Sequence, residues 1–331
     1  MGLSGATVLV TGGSSGIGAA TARTLAAAGA RVLVAGRNAA RLRAVAAETG
    51  GLAIEADLAA PDGPALLARA ALSAAATWHG ASLGGQRDPA AVAAALSRGD
   101  GNGARRAGAR DRGASRIAAA VSDTVTADAP SVTDALAGGV PAAPGPQPSP
   151  AEPPPAGGID ILINNAGIGW AGPLAEMSAA KVAQLVAVNL TAPIELTRLL
   201  VPALAAGGRG RVVFVSSIAG ATGVPQEAVY AATKAGLTYF AESLRYELAG
   251  SGVGVSVVVP GVIDTPFFAV RGTPYARKRP APISAQRAAR AVLTAIEREQ
   301  PMVFVPRWLR FPAWLHGAAP GAFRALAARF G

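Results

Sequence analysis

Thr11-Gly12-Gly13-Ser14-Ser15-Gly16-Ile17-Gly18 closes an apolar run, Ala6–Thr11, and opens a stretch of helical spacing, Ile17–Ala28. After Gly29 a second apolar run follows at Arg31–Gly36. Two continuous apolar strands joined through a helix predict a βαβ unit, because parallel strands need a crossover of about this length. Glycines at the strand-to-helix turn let the backbone bend tightly and approach a pyrophosphate, whose charge is met by amide N–H groups and the positive end of the helix. The spacing is G-x-x-x-G-x-G rather than G-x-G-x-x-G. Gly12, Ser14, Ser15, Gly16, Ile17 and Gly18 are therefore the expected phosphate-side residues.

Outward from this unit the alternation continues. A helix is predicted from about residue 39 to 48, a strand at 52–56, and a helix from about Pro61 to about Leu72, where periodicity stops. It resumes with strands at 159–163, 211–216 and 253–259, separated by helices at about 179–204 and 228–249, and ends with a helix at 285–299 and a short strand at 302–305. Continuous apolar strands alternating with helices predict an α/β fold, a Rossmann-like doubly wound parallel sheet of about seven strands with helices on both faces. The chain's 331 residues leave room for two domains at roughly 150 each, yet the alternation reads as one dinucleotide-binding and catalytic domain over 1–331. The excess length falls at 73–157, an Ala/Gly/Arg/Pro-rich insertion ending in PAAPGPQPSPAEPPPAGG, expected to be extended, solvated and disordered. Following a helix and preceding a strand, it should leave the sheet at its amino edge, opposite the edge where ligands bind.

Composition removes several kinds of chemistry. There is no cysteine, which excludes thiolate nucleophiles, disulfides and Cys-based metal sites, and the two histidines, His79 and His316, have no local partners, so no metal site is expected. Redox chemistry would have to come from a bound cofactor. No run approaches ~18 consecutive apolar residues and the amino terminus enters its first strand directly, so a cytoplasmic protein is expected. Of the net charge of +10, +9 lies in residues 271–331, which carry 11 bases and 2 acids. A basic tail on a near-neutral body argues against nucleic-acid binding.

Three further motifs accompany the glycine-rich turn: Asn164-Asn165-Ala166-Gly167, Tyr230-Ala231-Ala232-Thr233-Lys234, and Pro260-Gly261 followed by Thr265. With them the chain resembles the short-chain dehydrogenases/reductases over about residues 3–72 and 158–300. The resemblance implies that Asn165, Ala166 and Gly167 line the cofactor, that Asp57 and Leu58 contact adenine, and that Pro260, Gly261, Val262, Ile263 and Thr265 clamp the nicotinamide. It implies a catalytic tetrad of Asn189, Ser217, Tyr230 and Lys234: Ser217 holds the substrate oxygen, Asn189 organises a water, and Lys234 also bonds the nicotinamide ribose. Tyr230 and Lys234, four apart on a predicted helix, share one face. A nearby ammonium is expected to lower the Tyr230 pKa from its ordinary ~10 and suit it to acid/base catalysis. At the end of the second strand, Gly36 replaces the carboxylate that would bond a free adenosine ribose, and Arg37 stands beside it. The expected cofactor is NADP(H), with NAD(H) less favoured.

The loops at 218–226 and 264–282 should form the substrate pocket. The first is almost wholly apolar and the second brings Phe267, Phe268 and Tyr275, which points to a hydrophobic or lipid-like carbonyl or alcohol. Arg271, Arg277, Lys278 and Arg279 read as a solvated lid or, alternatively, as a charge for an acidic substrate. Residues 306–331 interleave Trp308, Phe311, Trp314, Leu315, Phe323 and Phe330 with arginines, a basic amphipathic tail that either lies on a membrane surface or packs over the pocket or a neighbour. The expected activity is NADP(H)-dependent carbonyl–alcohol interconversion; the alternatives are a non-catalytic NADP(H)-binding regulator or scaffold and, from length, an epimerase or dehydratase. The resemblance also implies a homodimer or homotetramer.

Overall fold

The computed structural model describes residues 2–81, 158–273, 275 and 280–330. Seven parallel strands form one sheet: β1 (Thr7–Thr11), β2 (Arg31–Gly36), β3 (Leu52–Glu55), β4 (Ile161–Asn164), β5 (Arg211–Val215), β6 (Gly254–Pro260) and β9 (Met302–Val305), in the order β3-β2-β1-β4-β5-β6-β9. The order reverses between β1 and β4, so the carboxyl ends of these neighbours open a crevice there. β1 pairs with both β2 and β4, and the Thr7 N–H donates to the Asp160 carboxylate at 2.8 Å, fixing where β4 begins.

Strand alternation divides the core. Val8, Val10, Val32, Val34, Ile161 and Ile163 face α1 (Gly16–Ala27), α2 (Ala39–Thr49) and α9 (Ala285–Glu297), meeting Leu25, Leu42, Val292 and Ile296. Leu9, Leu33, Leu162, Phe214 and Val257 point the other way, onto α3 (Gly63–Ala81), α5 (Ala192–Ala206) and α7 (Ala228–Glu247) through Leu67, Leu196, Leu200 and Leu237. Burial on both faces explains why the strands are continuous apolar runs rather than alternating ones.

Four features depart from the sequence-based expectations. α3 runs to Ala81, nine residues past Leu72, with Ala74 and Ala75 buried against the core; residues 82–157 of the expected insertion lie outside the described residues. The long helix expected over 179–204 is instead α4 (Ala179–Val186), a π-helical turn at Ala187–Thr191, and α5. By length and hydropathy the run 179–206 would suffice to cross a membrane, but its Leu185, Leu196, Leu200 and Leu204 are buried within the fold. A short parallel pair, β7 (Ile263–Asp264) with β8 (Ile283–Ser284), closes the base of the loop after β6. Finally, the carboxyl-terminal stretch is folded into helices α10 (Arg310–Ala318) and α11 (Pro320–Phe330).

Candidate active site

The glycine-rich turn lies at the crevice between β1 and β4. Gly12 has φ +66°, and a Cβ there would stand 2.9 Å from the Ala166 Cα; a Cβ on Gly18 would stand 2.2 Å from the Gly12 carbonyl oxygen. These approaches seat the turn against the Asn165–Gly167 segment and set α1 close behind it. Thr11 joins the two: its Oγ1 donates to the Ile163 carbonyl at 3.1 Å and accepts from the Asn165 and Ala166 N–H groups, both at 3.0 Å. The Asn165 side chain donates to the Thr11 carbonyl at 2.9 Å. Sequence reasoning placed Asn165 and Ala166 against a cofactor and overlooked Thr11, whose buried hydroxyl builds that edge.

The amino end of α1 suits an anion. Ser15, at its N-cap position, makes no side-chain cap hydrogen bond, and the first turn holds no acidic residue. Across the turn, the Thr265 methyl lies 3.1 Å from where a Gly16 Cβ would stand, so the segment after Pro260 reaches the glycine loop. Gly261 N–H donates to the Val305 carbonyl at 2.8 Å, the Val262 carbonyl accepts from Ile283 at 3.0 Å, and Ile263 is buried. At the end of β2, Arg37 is exposed and forms no hydrogen bond or ion pair with the described residues. A Cβ on Gly36 would make only ordinary contacts at 3.8 Å, with Leu42 and Ser14. Nothing steric therefore excludes a carboxylate there. Asp57 is exposed and accepts from the Ala59 N–H at 3.0 Å, while Leu58 packs into the core. These residues fit a dinucleotide: uncapped amides at a helix end, a close-approach turn, and a cation in place of a carboxylate at the strand end.

The expected tetrad is brought together around Gly167. The Asn189 Oδ1 and the Lys234 Nζ each lie 3.4 Å from where a Gly167 Cβ would stand. Asn189, within the π-helical turn and fully buried, accepts from the Ile168 N–H and donates to its carbonyl, both at 2.9 Å, and donates to the Thr233 hydroxyl at 3.2 Å. It thus pins the loop after β4 to α7. Lys234 is buried and donates to the Val215 carbonyl at 2.9 Å, with its ammonium 6.0 Å from the Tyr230 ring centre. Ser217, at the amino end of the short helix α6 (Ile218–Thr222), accepts from the Ala219 N–H at 3.2 Å and stands close enough to Tyr230 to temper its pKa. Ser216 is turned away, bonded to the Lys234 carbonyl at 2.9 Å and the Thr238 hydroxyl at 2.8 Å.

Electrostatics here run against expectation. Burial pushes the Tyr230 phenol up to about 12, opposed in part by Ser217, rather than the lysine drawing it below 10. Lys234 is itself pushed down to about 8 by burial. A desolvated site disfavours phenolate and ammonium alike. At ordinary pH the Tyr230 phenol is therefore neutral.

Around Tyr230 lies an apolar shell of Leu185, Ala219, Ile168, Trp170, Met177, Val224 and Phe267, whose ring centre is 5.6 Å from that of Tyr230. Trp170 and Met177 come from the loop after β4, which the sequence reading left aside. In the loop after β7, Arg271 is not the solvated cation expected: its side chain is 8% exposed and paired with Glu227. Arg277, Lys278 and Arg279 lie outside the described residues.

A parallel sheet reversing direction at a glycine-rich turn, beside a Ser–Tyr–Lys cluster, defines a dinucleotide-binding domain with the parts of an oxidoreductase. Residues 6–76 and 154–275 match the family model described as short chain dehydrogenase, and the chain belongs to that family. Among its relatives, the ketoacyl reductase HetN of Nostoc sp. is 41% identical over 149 residues, 45% of this chain and 52% of that protein. The uncharacterized oxidoreductase YbbO of Escherichia coli K12 is 41% identical over 106 residues, 32% of this chain and 39% of that protein. The chain thus spans about half the length of these curated relatives or less. A Sphingobium yanoikuyae short-chain dehydrogenase in complex with NADPH superposes with TM-score 0.63 at 23% identity, covering 98% of this chain and 96% of that one. A metagenomic short-chain oxidoreductase in complex with NADP gives TM-score 0.55 at 28% identity, covering 92% and 98%.

Proposed function

We propose that the protein is an NADP(H)-dependent reductase of hydrophobic carbonyl compounds. The observation that carries this reading is the Tyr230 phenol, beside Ser217, flanked by Lys234 and packed with Ile168, Trp170, Met177, Val224 and Phe267. The Gly12–Gly18 turn, the Asn165–Gly167 segment and the residues after Pro260 would hold NADPH, which would supply the hydride for the carbonyl carbon. Ser217 and Tyr230 hold the carbonyl oxygen, and Tyr230 gives it the proton, so that hydride plus proton yields the alcohol. A phenol with its pKa raised to about 12 retains that proton throughout the physiological range and so is in the form that can donate it to a carbonyl oxygen. Lys234 presents its ammonium beside Gly167, and Asn189 holds the Ile168 backbone that borders the site. The exposed Arg37 beside Gly36 supports NADP(H) over NAD(H), while structures that share this fold hold NADPH, NADP, NAD or NADH. α7 leaves Tyr239 and Tyr246 about three-quarters exposed, an apolar face suited to self-association.

The test is NADPH oxidation with a panel of aliphatic and aromatic ketones and aldehydes. The wild type should turn over the more hydrophobic members, and Tyr230→Phe should lose about 10²–10⁴-fold while still binding NADPH. Undiminished turnover by the variant would refute the proton-donor role; NADPH binding without turnover of any carbonyl would point to the regulatory alternative.

A further inference from the structure

Helices α10 and α11 carry a surface that the reaction does not use. Trp308, Phe311, Trp314 and Leu326 are 56%, 62%, 63% and 48% exposed, four large apolar side chains within nineteen residues. The rings of Phe311 and Trp314 lie 6.1 Å apart. Arg307, Arg310 and Arg324 are exposed among them, with no hydrogen bond or ion pair to the described residues. From 306 to 331 the sequence has four arginines and no carboxylate.

From these features we propose that the α10–α11 segment docks the protein on an anionic phospholipid surface, the tryptophans and phenylalanine entering the headgroup boundary and the arginines reaching phosphate. Aromatic rings with an apolar body and a polar edge settle at that depth, and arginine extends along apolar surface while keeping its charge in the polar layer. A second copy of the chain is a poorer occupant. A two-fold interface sets a patch against itself, and this patch would oppose arginine to arginine with no acid between them. The segment is anchored where docking matters: Leu309 Cδ1 lies 2.7 Å from where a Gly261 Cβ would stand, and α10 packs on α6, which follows Ser217. Docking therefore brings the edge bearing the Tyr230 cluster towards the bilayer. The relevance of that edge to substrate entry rests on the reductase reading; the docking does not.

The experiment is flotation of the full-length protein with phosphatidylcholine vesicles, with and without phosphatidylglycerol. Binding is expected only with the anionic lipid, and it should weaken as salt is raised. Since one surface arginine contributes about fivefold near an anionic bilayer, Arg310→Gln with Arg324→Gln should weaken binding about 25-fold. Phe311→Ala with Trp314→Ala should weaken it at least about tenfold. NADPH titration of each variant checks that the sheet is intact and separates failure of docking from failure of the cofactor assignment. Equal binding to neutral and anionic vesicles, no binding to either, or a dimer that dissociates when Phe311 and Trp314 are replaced would each overturn the proposal.

Discussion

Arg271 donates a hydrogen bond to the carboxylate of Glu227, 44 residues away in sequence, and the two side chains are only 8% and 13% exposed. Glu227 is the N-cap residue of α7, three positions before Tyr230, and Arg271 also lies 4.7 Å from the Phe268 ring centre. The loop after β7 is thereby fastened to the catalytic helix.

Breaking one member of a buried pair leaves the other charge uncompensated, at a cost of about 3–5 kcal/mol if nothing moves. A surface loop can release instead. Glu227→Gln should therefore free the loop rather than unfold the sheet: tryptic cleavage after Arg271 accelerates at least about tenfold while the melting transition shifts little. The KM for a hydrophobic carbonyl should rise more than kcat falls.

Lys234 predicts a divergence between stability and function. Its pKa is about 8 in the folded protein against 10.5 in the unfolded chain, so at neutral pH both states are charged and the folded state bears the cost of burying that charge. Lys234→Met should abolish turnover yet melt higher at neutral pH, by about 1–3 kcal/mol after the loss of the bond to Val215. As pH rises from about 8 towards 10.5 the wild type gains stability relative to the variant and the gap closes, which calorimetry across that range would detect. NADPH binding by the wild type should weaken as pH passes about 8, with the variant showing no such step.

Gly36 and Arg37 predict cofactor choice. Because a side chain at 36 meets only ordinary contacts, Gly36→Asp should fold normally, lower NADPH affinity at least about tenfold and raise NADH affinity. Nicotinamide fluorescence titration of the two cofactors checks both changes. Unchanged preference would sink the Arg37 assignment.

Thr11→Val is nearly isosteric but leaves the Asn165 and Ala166 N–H groups without the hydroxyl they now share. The Asn165 N–H still donates to the Ile163 carbonyl at 3.0 Å, so it is the Ala166 N–H that loses its partner; one unsatisfied donor costs about 1–3 kcal/mol, and a loss of about that size is expected by thermal melting, with weakened NADPH binding. Stability equal to wild type would show that the joint is dispensable.

Much of this architecture was legible because glycine, strand and helix signals reinforce one another from Ala6 to Gly36, and because Ser217, Tyr230 and Lys234 sit on elements of clear period. What escaped was of two kinds. The end of α3 was hidden because alanine gives no contrast between buried and exposed faces: Ala74 and Ala75 are core residues, and Ala76 beside them is only half-buried. The Arg271–Glu227 pair, the Thr11 joint and the Asn189 bonds to Ile168 and Thr233 join residues whose separation in sequence carries no periodic signal. For the Tyr230 pKa the motif displays the neighbouring ammonium, whereas the desolvation that raises it belongs to the shell that Trp170, Met177 and Phe267 complete from other loops.

The register of β1 on β4, Val8 with Ile161, Leu9 with Leu162 and Val10 with Ile163, is also a seam between two stretches of polypeptide. On one side lies the glycine-rich turn and on the other Tyr230 with Lys234, so neither stretch contains the whole candidate site. Closing a chain over a longer gap costs only about 0.6 kcal/mol per doubling, and the seam, rather than the covalent link across residues 82–157, keeps the halves in alignment. Residues 1–81 and 158–331, produced as separate polypeptides, have the makings of a split enzyme whose recovery of NADPH binding would report directly on pairing of those two strands.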